Sequence, residues 1–305
     1  MKRTMKHKET AGHLAAVFTV IIWGTTFIST KILLEDFKPL EILIFRFIMG
    51  FLALAAVNPR RLKNTTFRQE AVFMAAGLCG ICLYYLLENI ALTYTMASNV
   101  GVIISVAPFF TAISAHLWMK TEEKLQIRFF LGFAVAMAGI FLISFNGAKL
   151  SLNPTGDLLA LLAAFVWSCY SILTKKIGSF GYPVILTTRR TFFYGILFML
   201  PALFFMDFKP DLWRFADLSY LFHIFYLGLG ASALCFVTWN FAVKVLGAVK
   251  TSVYIYMVPV ITVVTSFLIL KEKITPLSGT GTLLTLAGLF ISEYKEKEEP
   301  GRKSK

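Results

Sequence analysis

The chain has 305 residues, 57% of them hydrophobic and 15% charged, with 30 Lys and Arg against 17 Asp and Glu. Its mean hydropathy of +0.71 lies outside the range of ordinary soluble domains and points to a bilayer. Four scattered Cys exclude a disulfide framework, and the text holds neither a phosphate-cradling glycine loop nor a His- or acid-rich metal motif.

Taken in order, apolar runs lie near residues 12–33, 39–57, 71–92, 97–119 and 127–145, then 156–176, 183–206, 218–243, 247–270 and 276–293. Each is long enough to cross roughly 30 Å of hydrocarbon as a helix, and the short alternating segments of a barrel are missing. The stretch MKRTMKHKET before the first run resembles a leader, but the run ends in Lys31, Glu35 and Asp36 instead of a small-residue cleavage site. It reads as a short cytoplasmic terminus (1–11) and a retained first helix. The connections are short, the longest being Asn58–Glu70 and Asp207–Leu218, so no soluble domain hangs from the spans. The tail, 294–305, alternates charge, contains Pro300-Gly301 and is expected to be disordered.

Residues 12–145 and 156–293 read as one unit written twice. Trp23, Lys31, Pro39 and Arg46 recur 144 positions later as Trp167, Lys175, Pro183 and Arg190. Asn89, Ala91, Pro108 and Lys120 recur after 151 as Asn240, Ala242, Pro259 and Lys271, and Gly132 and Gly139 after 149 as Gly281 and Gly288.

Charge sets orientation. With the N-terminus inside, 20 Lys and Arg fall in inner connections and tails, seven in outer ones, and Arg46, Arg189 and Arg190 lie within helices. That excess predicts N-in, C-in topology and accounts for the net charge of +13 without nucleic acid. Five helices per unit is an odd number, so the second copy crosses the membrane upside down. The predicted fold is an all-α integral membrane protein of ten transmembrane helices in two inverted five-helix repeats, a plan suited to alternating access.

Trp23-Gly24, Pro39 with Arg46 seven residues on, and ALTYTMAS (91–98) before Pro108 resemble the EamA-type transporters of the drug/metabolite transporter superfamily. The second copy keeps Trp167, Pro183, Arg190, Asn240, Ala242, Pro259 and Glu272, and departs from the pattern at 239–249. The resemblance covers nearly the whole chain. It implies a multi-pass secondary transporter of a small metabolite in the cell membrane, working by export, without a cofactor; import or passive facilitation by the same fold are the alternatives.

Polar groups inside spans are expensive and therefore informative. Arg46 and Glu88 sit at comparable depth toward the outer side, where they can pair as a gate; Glu88 is also the candidate for proton coupling. Arg190 matches Arg46, but Trp239 stands where an acid matching Glu88 belongs, so the inner arginine is expected to be free for an anionic substrate or, like Arg189, to snorkel to the interface. Trp23 and Trp167, at matched mid-membrane depth, are candidates for the cavity wall with Tyr84, Tyr85 and Tyr254, and the amides of Asn89 and Asn240 for cavity or interhelical hydrogen bonds. Pro108 and Pro259 break their helices at matched positions and are candidate hinges. Cys79-x-x-Cys82 reads as small-residue packing beside Gly77 and Gly80, and Gly132/Gly139 with Gly281/Gly288 as a close helix contact within a monomer or in a homodimer. A membrane enzyme would need clustered acids or a nucleophile with its base, and neither is present.

Overall fold

A computed structural model of the chain describes residues 2–95, 97–119, 127–144, 153–206, 208, 211–270 and 276–293. Among the described residues the regular structure is entirely helical, as hydrocarbon demands of backbone N–H and C=O groups that find no water. In chain order the helices are α1 (Lys2–Leu33), α2 (Pro39–Val57), α3 (Phe67–Tyr94), α4 (Ala97–Ile104 with Ala107–Met119) and α5 (Ile127–Ser144). The second half repeats them as α6 (Pro154–Ser179), α7 (Val184–Met199), α8 (Leu218–Leu246), α9 (Ala248–Val253 with Met257–Leu270) and α10 (Pro276–Glu293). Five of them, α1, α2, α3, α6 and α8, are long and apolar enough to cross a membrane on length and composition. Apolar side chains such as Leu52, Phe141, Leu283 and Phe290 point outward from the bundle.

Local chemistry sets the starts. Thr66 caps α3 by accepting from the Gln69 N–H, while the Gln69 side chain accepts from the Thr66 N–H. This box carries α3 back to Phe67, four residues before the start expected from hydropathy, because its first turn holds Arg68, Gln69 and Glu70 and lies outside the apolar run. Asn153 caps α6 ahead of Pro154, and Asp217 caps α8. The stretch before residue 12, expected to lie outside the first helix, continues α1 back to Lys2. The tail expected to be disordered lies outside the described residues.

Irregularities recur with the repeat. A π-helical segment interrupts α3 at Leu78–Leu83 and α8 at Tyr226–Leu234, ending 151 positions apart. The helix α4 breaks at Ser105–Val106 and α9 passes through a 3-10 turn at Tyr254–Tyr256. Pro108 and Pro259 therefore sit in the first turn after each break instead of mid-helix; a proline fits there because the N–H it lacks has no intrahelical partner.

Packing follows the same symmetry. The pairs α1·α8, α2·α8 and α1·α9 have as counterparts α6·α3, α7·α3 and α6·α4, while α2·α7 and α5·α10 join equivalent helices. The end of α1 meets the end of α3, where Lys31 Nζ donates to Leu92 O. The start of α6 also meets the end of α3, where Asn153 Nδ2 donates to Tyr94 O. The two halves thus run in opposite directions. One end of the bundle, here the Glu70 end, holds the α2–α3 and α6–α7 connections; the other, the Glu41 end, holds the starts of α2 and α6.

The contact between α5 and α10 is made of backbone. A Cβ on Gly139 would lie 2.5 Å from Gly281 O, and one on Gly288 would lie 2.6 Å from Gly132 O. All four glycines are used within the chain.

Candidate functional site

The repeat brings its two matched tryptophans into contact at the centre. Trp23 of α1 and Trp167 of α6 meet edge to face, 5.2 Å between ring centroids. Trp239 of α8 completes the group, 5.0 Å from Trp23 and 6.1 Å from Trp167. Tyr84 packs on Trp167 at 4.7 Å, Tyr85 on Tyr84 at 4.7 Å, and Phe236 fills the space between Trp23, Trp167 and Tyr85. Of the candidate cavity residues, Trp23, Trp167, Tyr84 and Tyr85 lie together here. Tyr254 goes elsewhere: its hydroxyl meets His13 Nδ1 at 2.6 Å, between α9 and the first turns of α1.

Polar groups in this core are only partly satisfied. Trp23 Nε1 donates to Ala231 O at 3.0 Å, a carbonyl within the π-helical segment of α8. The indole N–H groups of Trp167 and Trp239 are buried without an acceptor. Arg46 is buried at 1% exposure; its Nε donates to Ser232 Oγ at 3.0 Å, its guanidinium lies 4.5 Å from the centre of the Tyr85 ring, and its Nη2 has no partner. Glu88 is buried one turn from Tyr84 and Tyr85 on α3, with Tyr84 and Arg46 as the groups that act on its carboxyl. Arg46 and Glu88 share the core, but in this conformation Ser232 takes the hydrogen bond of Arg46. Unsatisfied donors in an apolar core cost free energy, and together they offer an anionic or carbonyl oxygen several N–H groups at once.

The asparagines lie one layer out. Asn240 accepts from Tyr170 at 2.8 Å and donates to Thr188 at 2.9 Å, tying α6, α7 and α8 together. Asn89 reaches Pro39 O at 3.5 Å, and its own carbonyl oxygen is buried without a donor.

Arg190 corrects the sequence reading, because it has an acid. Glu70, at the start of α3, accepts from Arg190 Nη2 at 2.8 Å and from Nε at 3.1 Å, and also takes the hydroxyls of Thr65 and Tyr194. This partner comes from the other repeat and from the first turn of α3, so comparison with the Glu88 position did not reveal it. Arg189 is engaged too, by the carbonyls of Asn58 and Arg60. Neither arginine is a free cation for substrate.

A second clamp closes the opposite end. Glu41, buried at the start of α2, takes both arms of Arg214 at 3.0 Å each. Arg214 also donates to Asp36 O and lies 4.2 Å above the Phe37 ring, and the bonded carboxylate pushes its pKa further above the usual arginine range. Both clamps bridge the repeats: one joins the start of α3 to α7, the other the start of α2 to the connection before α8. Hydropathy reading missed Glu41, Glu70 and Arg214 because two stand in the first turn of a helix and the third in a connection, where charge carries no hydropathy signal. The signal in the text was an acid three residues after Lys38 and Thr65–Thr66 ahead of Glu70, both in capping positions.

Comparisons with known proteins agree with this architecture. The EamA-like transporter family matches residues 10–145 and 154–294, one match for each repeat. The chain is 27% identical to an uncharacterized transporter of Archaeoglobus fulgidus, over 94% of this chain and 98% of that one. It is 26% identical to a probable terminal-alkyne amino-acid exporter of Streptantibioticus cattleyicolor, over 95% and 97%, and 26% identical to an uncharacterized transporter of Bacillus subtilis, over 90% and 88%. A solved crystal structure superposes with a TM-score of 0.72 at 18% identity, over 93% of this chain and 96% of its own, a likeness of fold. The chain is a multi-pass membrane protein that belongs to the EamA-like transporter family, whose two copies of one unit correspond to α1–α5 and α6–α10.

Proposed function

We propose that the protein moves a small metabolite of amino-acid type across the cytoplasmic membrane of a prokaryotic cell by alternating access, in the direction of export. The observation that carries this reading is the junction of Trp23 and Trp167. Two equivalent helices meet there, within the helical bundle, beside a buried guanidinium and a buried carboxyl. Rings supply an apolar wall, Arg46 Nη2 a donor for a carboxylate, and Glu88 an acceptor for an ammonium. The name of the Streptantibioticus relative supports the same class.

With Glu41–Arg214 and Glu70–Arg190 both closed, this conformation corresponds to an occluded state. Opening one clamp while the other stays closed exposes the core to one side at a time. By the positive-inside rule the Glu70 end faces the cytoplasm. Glu88 is the group we assign to coupling with a proton or another ion, and the working unit is a monomer or a homodimer.

Metabolite profiling of cells with and without the gene tests the reading. Accumulation of one amino acid or a related compound inside the deletion strain is the expected result. Equal levels across all classes would overturn export, and lost uptake of a supplied compound would turn the direction to import.

A further inference from the structure

The inverted repeats are not equally filled. Between α6, α7 and α8, at the Glu70 end, lies a narrow cleft of about 300 Å³, the part open to solvent included, bordered by Thr174, Thr187, Thr191, Asn240, Tyr182 and Lys244. In the first repeat, the offset of 144 puts Leu43 and Phe47 where the cleft has Thr187 and Thr191, and both are fully buried. The offset of 151 puts Thr93 where the cleft has Lys244. Where one copy has a buried leucine and phenylalanine, the other has two buried threonines, 5% and 2% exposed, and a half-buried lysine.

The free donors within the cleft are few and identifiable. Thr187 and Thr191 give their hydroxyl hydrogens to carbonyls of their own helix, Val184 O and Thr187 O. Asn240 gives one amide hydrogen to Thr188. The Thr174 hydroxyl is buried without a partner in good hydrogen-bond geometry, beside the Tyr170 hydroxyl, which donates to Asn240. Lys244 is half-buried and spends one N–H on Tyr182 O at 3.3 Å. Arg189 and Arg190, the neighbouring cations, are held by carbonyls and by Glu70, so Lys244 is the charge that faces the cleft.

We propose that this cleft binds the carboxylate of a small organic monoanion, with Lys244 as its charge partner and the Thr174 hydroxyl as a donor. One ammonium suits one negative charge, and a phosphate of nearly two charges would be undercompensated. Among the described residues, the equivalent positions of the first repeat carry the apolar Leu43 and Phe47. As the first station on the route to the tryptophan core the cleft rests on the transport reading for its purpose, not for its chemistry.

Thiol labelling tests it without a transport assay. Cysteine is placed at Thr187 or, separately, at Thr191, and labelling of the parent chain, with its own four Cys, is subtracted. Equally sized methanethiosulfonates, one bearing a sulfonate and one a quaternary ammonium, are compared on protein in vesicles of neutral phosphatidylcholine. The sulfonate is expected to react at least about threefold faster, from one membrane face only, and Lys244→Gln is expected to bring the ratio close to one. Millimolar phenylacetate slows the reaction and phenethylamine does not, while Leu43→Cys stays unreactive. No sulfonate preference, or a preference that survives Lys244→Gln, would overturn the site. Protection by added phosphatidylglycerol but not by phenylacetate would give the site to a lipid headgroup and overturn the solute assignment. Loss of the export phenotype with the labelling pattern intact would count against the transport reading alone.

Discussion

Arg190 and Glu70 join the two repeats at one end of the bundle through a two-pronged contact, Nη2 to Oε1 at 2.8 Å and Nε to Oε2 at 3.1 Å. The side chains keep 34% and 17% of their exposure, so solvent screens the pair and its net worth is modest, about 1 kcal/mol. Glu70→Gln is expected to lower the unfolding midpoint of the purified protein by about 2–4 °C. Arg190→Gln should cost a similar amount, and the double variant less than the sum of the two, since each single change already breaks the same contact. Strict additivity in a thermal unfolding series would show that the pair does not couple the repeats.

Arg46 differs from its repeat mate in kind, because it is buried with only part of its guanidinium bonded. A charge held so is poor value for stability, and an apolar residue of similar volume is often neutral or better there. Arg46→Met is therefore expected to leave the unfolding midpoint unchanged or raised while lowering transport at least about tenfold, equivalent to about 1.4 kcal/mol of lost interaction. Arg46→Lys keeps the charge but loses the planar fork and the bond to Ser232, and an intermediate rate is expected. Paired unfolding and efflux measurements decide the matter. A stability loss that tracks the transport loss would make Arg46 a structural residue.

The α5–α10 contact has no room for side chains. A leucine at Gly139 would drive its Cβ within 2.5 Å of Gly281 O and Thr285 N, where backbone has nowhere to go. Gly139→Leu is expected to cost about 1–3 kcal/mol or more, read as a lower midpoint and poor yield. At Gly279, also in α10, an added Cβ meets nothing within 4 Å, so Gly279→Ala should be neutral or slightly stabilising by helix propensity, up to about 1 kcal/mol. Equal tolerance of both changes would refute the packing role of the glycine stripe.

The repeat was legible in the text because its marks are residue types that hydrocarbon rarely admits. Trp23/Trp167, Pro108/Pro259 and the glycine stripes recur at fixed offsets, and the structure places each pair at equivalent points. What the text concealed was pairing between copies. Glu70 and Arg190 are 120 positions apart and belong to no shared motif; nor do Glu41 and Arg214. Their contact follows from opposite helix directions, which bring a connection of one repeat against a helix of the other. Trp239 was misleading for a related reason. Seen as a missing acid opposite Glu88, it looked like a defect in the second gate. In the bundle it is the third tryptophan of the core, completely buried, 5.0 Å from Trp23.

Glu88 stands where the first repeat departs from that tryptophan, so its carboxyl is the core's asymmetric element. It shares a buried environment with Arg46, Tyr84 and Tyr85. A carboxyl so placed serves either as the exchangeable proton site of a coupled cycle or as the partner of a substrate ammonium. Glu88→Gln separates the two roles. It preserves shape and hydrogen-bonding capacity but holds no exchangeable charge. If Glu88 carries the coupling proton, transport by Glu88→Gln in vesicles should lose its dependence on an imposed pH gradient across pH 5.5–8 while exchange of substrate for substrate continues. If it binds the ammonium, exchange itself should fall at least about tenfold, and a substrate analogue without the amine should be less affected than the substrate. Full transport that still follows the pH gradient would remove Glu88 from both roles and leave Arg46 and the tryptophans as the chemistry of the core.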